Sequence, residues 1–137
     1  MGATQGSHEL SRAECLELLR SGNVGRVVLT HRVLPVAIPV NYALDGESIV
    51  FRTASGTALS AASDGSVVAF EVDQIDLTSR SGWSVLITGV ARAVQGSELL
   101  RADQLRLDSW VAANCETHYV RVPLAIVSGR RLQPAMQ

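Results

Sequence analysis

The sequence predicts a mainly β fold, a small antiparallel barrel with helices at its periphery. Six segments are apolar, rich in β-branched residues and of strand length, and most of the connections between them are tight turns. The helical segments are few and short, so the chain lacks the strand–helix alternation of a parallel sheet. Closing the strands into a barrel would also remove most exposed strand edges.

The first three predicted strands form a meander. A turn is expected near His31-Arg32, and Asp45-Gly46 is a strong hairpin signal because both residues tolerate positive φ. Two prolines in the second strand cannot donate to a hydrogen-bond ladder, which indicates a sheet edge or a bulge. The three strands are Val27–Leu29, Leu34–Tyr42 and Ser48–Thr53, and the prolines are Pro35 and Pro39.

The rest of the chain supplies three more strands and most of the helical residues. Gly89 is expected to form a bulge in the fifth strand. Ser11 and Glu14 have the spacing of a capping box at the start of the first helix. These strands are Ser66–Asp73, Trp83–Val94 and His118–Val127, and the helices are about Ser11–Arg20, Thr57–Ser63 and Ser97–Ser109.

A chain of 137 residues corresponds to about one domain, and 47% hydrophobic residues are enough to fill its core. Residues 1–9 are predicted to be a disordered arm. Residues 10–132 would form the barrel domain, and residues 133–137 a C-terminal tail.

Composition argues against several classes of protein. A net charge of −1 is unlike that of a nucleic-acid-binding protein, and no apolar run approaches the roughly 18 residues of a membrane span. The start of the chain has no signal-peptide pattern, and Cys15 and Cys115 read as reduced thiols, so a cytoplasmic protein is expected. The chain contains no lysine, which excludes Schiff-base chemistry on lysine and a Walker-type phosphate loop.

The segment FRTASGTALSAAS, residues 51–63, has the features of an anion pocket. Arg52 and Thr53 end a strand, and the loop that follows offers the hydroxyls of Ser55 and Thr57. The start of the next helix would point free N–H groups and a partial positive charge toward this loop. A simpler alternative is that Thr57 only caps the helix and that Arg52 is a solvated strand residue.

Four stretches of the chain have an order and spacing that together are fairly specific. They are PVAIPVNYALDGESIVFRTASGTALSAA, VVAFEVDQID, GWSVLITGVARAV and HYVRVPLAIVSGRRL. Together they resemble the pyridoxamine 5′-phosphate oxidase-like family of flavin-binding split barrels, over residues from about Leu10 to Leu132. The resemblance implies a six-stranded antiparallel split barrel and a homodimer that holds FMN in a groove at the subunit interface.

The resemblance also implies a set of cofactor-binding residues. The flavin phosphate would be bound by Arg52, Thr53, Ser55 and Thr57. The isoalloxazine ring would lie beside Pro39, Val40 and Asn41, and Trp83 and Ser84 would contact its edge. An equally open alternative for Trp83 is a place in the core.

Ala58 departs from the family pattern. Relatives commonly carry lysine or arginine at this position, where it pairs with the phosphate. A charge-assisted hydrogen bond contributes about 1.5–3 kcal/mol, so its loss is expected to weaken phosphate binding by roughly tenfold to a hundredfold. Arg52 and the helix start would remain, which predicts weakened FMN binding.

The function expected from this resemblance is a flavin-dependent oxidoreductase acting on a small organic substrate. No catalytic acid or base is required, because the flavin performs the hydride transfer. One alternative, favoured by Ala58, is a non-catalytic module that binds or sequesters flavin, deazaflavin or haem. Another is a structural dimer that has lost its ligand.

Other residue clusters give weaker signals. Cys115 and His118 could ligate a metal, but the second cluster that tetrahedral zinc needs is missing. No serine lies in a Gly-x-Ser-x-Gly setting, so a hydrolase triad has no support. Trp110 is expected in the core or an interface. Arg130 and Arg131 are either solvated or reach a ligand held with the partner subunit.

Overall fold

The computed structural model describes residues 7–62, 64–108 and 114–134. These residues form nine strands and three short helices. The strands are β1 (Ser7–Glu9), β2 (Val24–His31), β3 (Leu34–Asp45), β4 (Ser48–Ala54), β5 (Val67–Asp76), β6 (Ser81–Val90), β7 (Arg92–Ala93), β8 (Thr117–Pro123) and β9 (Ile126–Leu132). The helices are α1 (Arg12–Ser21), α2 (Ala58–Ala62) and α3 (Glu98–Gln104). None of these helices is long and apolar enough to cross a membrane.

The strands form one antiparallel sheet that closes on itself. The strand order is β1-β9-β6-β5-β2-β3-β4-β8-β7. Strand β7 is at one edge of the sheet, but it follows β6 in the chain after a single residue, Ala91. Because β6 lies near the opposite edge, this connection brings the two ends of the sheet together. Gly89 permits the close approach of β6 and β8, because a Cβ there would overlap the carbonyl oxygen of Pro123. The predicted mainly β barrel with peripheral helices is confirmed.

The strand count and two boundaries differ from the prediction. The fifth predicted strand divides at Ala91 into β6 and β7, and the sixth ends at Pro123, after which β9 forms a separate strand. Residues 7–9, predicted to be in a disordered arm, instead form β1, which covers the edge of β9. The bulge predicted at Gly89 is wrong, because Gly89 pairs in regular register with Val68.

The turn and edge predictions in the first meander are confirmed. The β2–β3 turn contains Arg32 and Val33, both with positive φ, and the β3–β4 turn contains Gly46 at a φ of 61°. Strand β3 pairs with β2 from Leu34 to Asn41 but with β4 only from Tyr42 onward. Both prolines therefore lie where β3 has a single partner, so no ladder bond is lost on the open side.

The barrel interior is filled by aliphatic side chains around four aromatic residues, Tyr42, Phe51, Phe70 and Trp83, so the alternative that placed Trp83 in the core is confirmed. Phe70 contacts Tyr42 edge-on, with ring centroids 5.2 Å apart, and stacks with Phe51 at 6.0 Å. Helix α1 begins at the predicted capping box, in which the Ser11 hydroxyl accepts from the Glu14 N–H and the Glu14 carboxylate accepts from the Ser11 N–H. Cys15 and Leu19, on its inner face, are fully buried in the same core.

Helix α3 lies over a second, smaller core. Its Ala102 and the following Leu107 are buried against Val50 of β4 and Val94. The helix ends at Gln104, earlier than predicted, because Arg106 adopts a left-handed conformation with a φ of 52°. This early end leaves residues 105–108 as a connection that passes over β4.

Candidate functional site

A cavity of about 300 Å³ lies between the open half of β3, the end of β4 and α2. It brings together six of the nine residues predicted to bind the cofactor, and Ala58 also lines it. These six are Pro39, Val40, Asn41, Arg52, Thr53 and Thr57. The other lining residues are Ile38, Ala54, Leu59 and Asp108.

The register of β3 and β4 explains how the Arg52 side chain reaches this cavity. Tyr42 and Phe51 are paired across the two strands, and both side chains are buried in the barrel core. Because side chains alternate along a strand, Asn41 and Arg52 project from the outer face. Strand β3 has no partner on the β4 side before Tyr42, and the cavity lies beside this gap.

Arg52 is held by neutral groups. Its Nη1 donates to the carbonyl oxygen of Leu107 at 3.2 Å, and its Nη2 donates to Oγ1 of Thr117 at 2.8 Å. The guanidinium carbon lies 5.6 Å from the ring centroid of Tyr119, a cation–π distance. Its Nε is buried and has no hydrogen-bond partner among the described residues. The reading of Arg52 as a solvated strand residue is therefore wrong.

Some of the hydroxyl groups of the loop already make hydrogen bonds within the protein. Oγ1 of Thr57 donates to the carbonyl of Ala54 at 2.9 Å and accepts from the N–H of Ser60 at 3.1 Å. Thr57 therefore caps α2, as the simpler alternative from the sequence holds. Oγ1 of Thr53 has only long contacts, 3.4 Å to Thr57 and 3.5 Å to Ala54, and Oγ of Ser55 lies 3.4 Å from Nδ1 of His118.

The charge around the cavity is sparse. Among the described residues that line it, Arg52 is the only cation and Asp108 the only anion. Ala58 lies in the wall, so its methyl group stands where a basic side chain would face this cavity. Helix α2 has only five residues, so few peptide dipoles align at its start.

Trp83 and Ser84 lie away from this cavity within one chain. Trp83 is only 8% exposed and borders a separate, open cavity of about 830 Å³ near the β5–β6 turn. Ser84 borders a third cavity of about 390 Å³ beside β9. Ser55 is exposed and is not part of any of these walls. The nine predicted residues thus occupy more than one place on the chain.

Sequence reasoning missed the residues that support Arg52. Tyr119 is directly opposite Arg52 in the β4–β8 pair, and its hydroxyl donates to Oδ1 of Asp103 at 2.8 Å. Burial and this bond to Asp103 raise the pKa of Tyr119. Leu107 and Thr117 lie more than 50 positions from Arg52 in sequence. Only the register of β4 and β8, together with the path of the chain after α3, could have indicated these contacts.

Several predictions concern residues outside the described part of the chain, namely Trp110, the ends of the second and third predicted helices at Ser63 and Ser109, residues 1–6 of the arm and residues 135–137 of the tail. Cys115 is exposed and free, and Cys15 is buried and free. Among the described residues, no group of three histidine, cysteine or acidic side chains is placed to hold a metal ion.

Comparison with known proteins agrees with the fold over most of the sequence. Residues 11–131 match the family model described as pyridoxamine 5′-phosphate oxidase. The chain belongs to the pyridoxamine 5′-phosphate oxidase family. The resemblance seen in the sequence is thereby confirmed, and the barrel described above is the family's split-barrel fold.

Several proteins similar to this chain come from mycobacteria. An uncharacterised Mycobacterium tuberculosis protein is 38% identical over 129 residues, which cover 90% of this chain and 84% of that protein. The FAD-binding protein of Mycobacterium smegmatis is 35% identical, with a TM-score of 0.79 and coverage of 96% and 100%. The FAD- and haem-binding protein of the same species shares the fold, at 16% identity, a TM-score of 0.72 and coverage of 93% and 74%.

Proposed function

We propose that this protein binds FMN and acts as a flavin-dependent oxidoreductase on a small organic substrate. The observation that carries the proposal is Arg52, a cation at the wall of a mainly apolar cavity. Its Nη1 and Nη2 each make a single hydrogen bond to the protein. Each of these nitrogens carries two N–H groups, so a phosphate oxygen of the ligand would accept from the N–H that remains.

The other cavity residues fit the remaining parts of a flavin. Thr53 has a buried hydroxyl with only long contacts, so it can turn toward the phosphate. Ile38, Pro39 and Val40 offer an apolar wall of the kind that binds a planar ring. Nδ2 of Asn41 makes only a 3.4 Å bond to the Asp108 carbonyl, so it is available to a polar edge of the ring. Thr57 is not included, because its hydroxyl hydrogen is donated to the Ala54 carbonyl and its oxygen accepts from the Ser60 N–H that it caps.

The protein's part in the reaction is to bind, orient and shield the cofactor. The flavin, when bound, supplies hydride transfer. Arg52 and Thr53 would fix its phosphate end, and Pro39 to Asn41 would set the height of the ring above β3. The substrate, or a reduced electron donor such as a nicotinamide or a deazaflavin, would approach the ring face that β3 leaves open.

We infer further that the flavin lies at the interface of a homodimer. A cavity of about 300 Å³ is at the lower limit of ligand sites, so one chain offers room for only part of the cofactor. Trp83 and Ser84, which border other cavities of the same chain, would reach the ring from the partner subunit. The two free cysteines support a reducing, cytoplasmic environment.

FAD is a second candidate for the cofactor. The 35% identical relative from Mycobacterium smegmatis is an FAD-binding protein. The cavity also suits a weaker negative charge, since it has a single guanidinium, a carboxylate at Asp108 and a methyl group at Ala58. Each phosphate of FAD carries one negative charge, whereas the terminal phosphate of FMN carries nearly two.

A non-catalytic flavin-binding module remains the alternative function, and Ala58 is the observation that favours it. Loss of a second cation weakens retention of the phosphate, which suits reversible carriage better than permanent occupancy. Oxidation of a reduced nicotinamide or deazaflavin by the flavin-loaded protein would support the enzyme. Tight binding without any turnover would support the module.

The deciding experiment is a titration of the purified protein with FMN, FAD and riboflavin, followed by flavin fluorescence and visible absorption. If Arg52 binds the phosphate, FMN should bind about tenfold or more tightly than riboflavin, which lacks it. Equal affinities for FMN and riboflavin would place the phosphate elsewhere. No binding of any flavin would overturn the proposal, and sedimentation as a monomer at micromolar concentration would overturn the shared site.

A further inference from the structure

Arg52 can act as an anion receptor only if its guanidinium is held in one orientation. An arginine side chain has several rotatable bonds, and fixing them opposes binding unless the protein has already done so. In this structure three groups fix it, namely the Leu107 carbonyl, the Thr117 hydroxyl and the Tyr119 ring. We call these three the Arg52 support. All three are neutral, so the full charge of Arg52 remains available to a ligand.

Tyr119 is itself fixed at both ends. Its backbone pairs with Arg52 in β4 and accepts a hydrogen bond from the N–H of Val94 at 2.9 Å. Its hydroxyl donates to Oδ1 of Asp103 in α3 at 2.8 Å. The ring therefore stands at a set position between α3 and the guanidinium. Neither Tyr119 nor Asp103 lines the cavity, so neither would touch the part of the ligand that this cavity holds.

Helix α3 is in turn anchored to the barrel. Arg101 in the helix forms an ion pair with Asp45 at 2.7 Å, and the buried Ala102 packs against Val50. These contacts also place the segment after the helix, from which the Leu107 carbonyl accepts its bond from Arg52. Two of the three support groups, the Tyr119 ring and the Leu107 carbonyl, thus depend on α3.

We propose that Tyr119, held by Asp103, is a positioning residue that orients Arg52 toward a flavin phosphate and so sets the protein's preference for phosphorylated flavins. This inference rests on the proposed function. It predicts that the α3 contacts control affinity for the phosphate end of the ligand while leaving affinity for the ring unchanged.

The test compares the dissociation constants of FMN and riboflavin for each variant of the full-length protein. Their ratio reports on the phosphate alone, whereas general damage to the fold weakens both ligands together. Tyr119→Leu, which removes the ring and the hydroxyl, should weaken FMN binding about three- to fivefold and leave riboflavin within about twofold. Asp103→Asn and Tyr119→Phe, which keep the ring but weaken its tether, should give smaller changes in the same direction.

Two further variants make the outcome specific. Tyr42→Phe is the matched control, since the other tyrosine of the chain donates to the Leu19 carbonyl at 2.6 Å inside the core. It should lower stability without changing the ratio. In an Arg52→Met background, Tyr119→Leu should have no additional effect on FMN binding, because the group that it positions is gone.

The results separate the two proposals. If Arg52→Met removes the preference for FMN but Tyr119→Leu, Tyr119→Phe and Asp103→Asn leave it intact, the positioning role is overturned and the phosphate site stands. A Tyr119→Leu variant that weakens FMN and riboflavin equally would also overturn the positioning role. If Arg52→Met itself leaves the ratio unchanged, both the phosphate site and the inference built on it are overturned.

Discussion

Arg52 and Arg121 are near neighbours on the outer face of β4 and β8, yet only one of them is paired with carboxylates. Arg52 is opposite Tyr119, and Arg121 is opposite Val50, two residues along the same pair of strands. Arg121 donates to Oδ2 of Asp45 at 3.0 Å and lies 3.5 Å from Glu98. Arg52 is held by a carbonyl, a hydroxyl and a ring, and no carboxylate among the described residues is within ion-pair distance.

The difference shows how one surface can hold both a structural arginine and a receptive one. A guanidinium that is paired with carboxylates has little residual attraction for an anion, whereas one that is held by neutral acceptors keeps its whole charge. The paired arginine anchors α3 and the unpaired one faces the cavity. Each property can be tested separately by changing the groups around the arginines.

The largest expected effect is on stability, at the paired arginine. Asp45 is 9% exposed and accepts from both Arg101 and Arg121. Asp45→Asn leaves Arg121, which is itself mostly buried, without its main counter-charge. We expect the free energy of unfolding to fall by about 3 kcal/mol, measured by urea denaturation. The matched control is Asp64→Asn, which removes an exposed carboxylate 3.9 Å from Arg92 and should cost less than about 0.5 kcal/mol.

The same carboxylate should make stability fall in acid. Burial raises the pKa of Asp45, but the hydrogen bonds from Arg101 and Arg121 outweigh it, so the net pKa is lowered. A lowered pKa in the folded state means that this contribution is complete above the ordinary aspartate pKa and is lost as pH falls below it. Asp45→Asn should therefore flatten the stability profile below about pH 4. An unchanged acid limb would mean that the Asp45 cluster is not an important anchor of α3.

Local signals in the sequence were enough for most of the fold. The capping box at Ser11, the hairpin at Asp45-Gly46 and the prolines of β3 each depend on nearby residues, and each was found where predicted. The division of the later strands was missed, because Ala91 and Leu124 lie within largely apolar runs, and Pro123 before the second break was not treated as a strand end. Their positions are set by barrel closure, which depends on contacts between distant segments.

The next prediction adds a cation to the cavity that Arg52 faces. Ala58→Lys places an ammonium at the cavity wall, where it should strengthen FMN binding by roughly tenfold to a hundredfold. Riboflavin binding should change by less than about twofold, since that ligand has no phosphate. Fluorescence titration of both ligands measures the two effects together.

The control for this substitution lies on the same helix. Ala61 is exposed on α2 and is not part of the cavity wall, so Ala61→Lys adds the same charge to the same helix outside the cavity. It should leave both affinities nearly unchanged. If the two variants behave alike, the gain at Ala58 comes from overall charge, and the cavity is not the phosphate site.

The site itself was only partly accessible from the sequence. Arg52 and Thr53 were found because they end a recognisable strand, whereas Asn41 came only from the family resemblance, and the cavity does bring the three together. The capping role of Thr57 could be stated only as an alternative, because a hydroxyl before a helix can either cap the helix or bind a phosphate. The Arg52 support could not be predicted, since Leu107, Thr117 and Tyr119 meet Arg52 only through the pairing of β4 with β8 and the path of α3.

A third cluster of charges, on β2 and β5, has the opposite ratio of carboxylates to guanidinium groups from the cluster around Asp45. Here one guanidinium, Arg26, lies 3.5 Å from Glu71 and 3.6 Å from Asp73. Two carboxylates share one exposed cation, whereas Asp45 alone is shared by two. Burial, then hydrogen bonding and repulsion from Asp73, raise the pKa of Glu71 to about 7.

The smallest expected effect follows from this opposite ratio. Stability should fall as pH rises through the Glu71 pKa, whereas for Asp45 it should fall as pH decreases. Because the folded-state pKa of Glu71 is raised, its contribution is complete at acid pH and is lost as pH rises toward and through about 7. The side chain is 28% exposed, so we expect a loss of only about 1–2 kcal/mol between pH 5 and 8. Glu71→Gln should remove this loss, and Glu17→Gln, an exposed glutamate on α1, should not. If Glu71→Gln is instead destabilising at pH 8, then Arg26 stabilises the Glu71 carboxylate more than Asp73 repels it, and the two clusters differ in exposure rather than in the ratio of their charges.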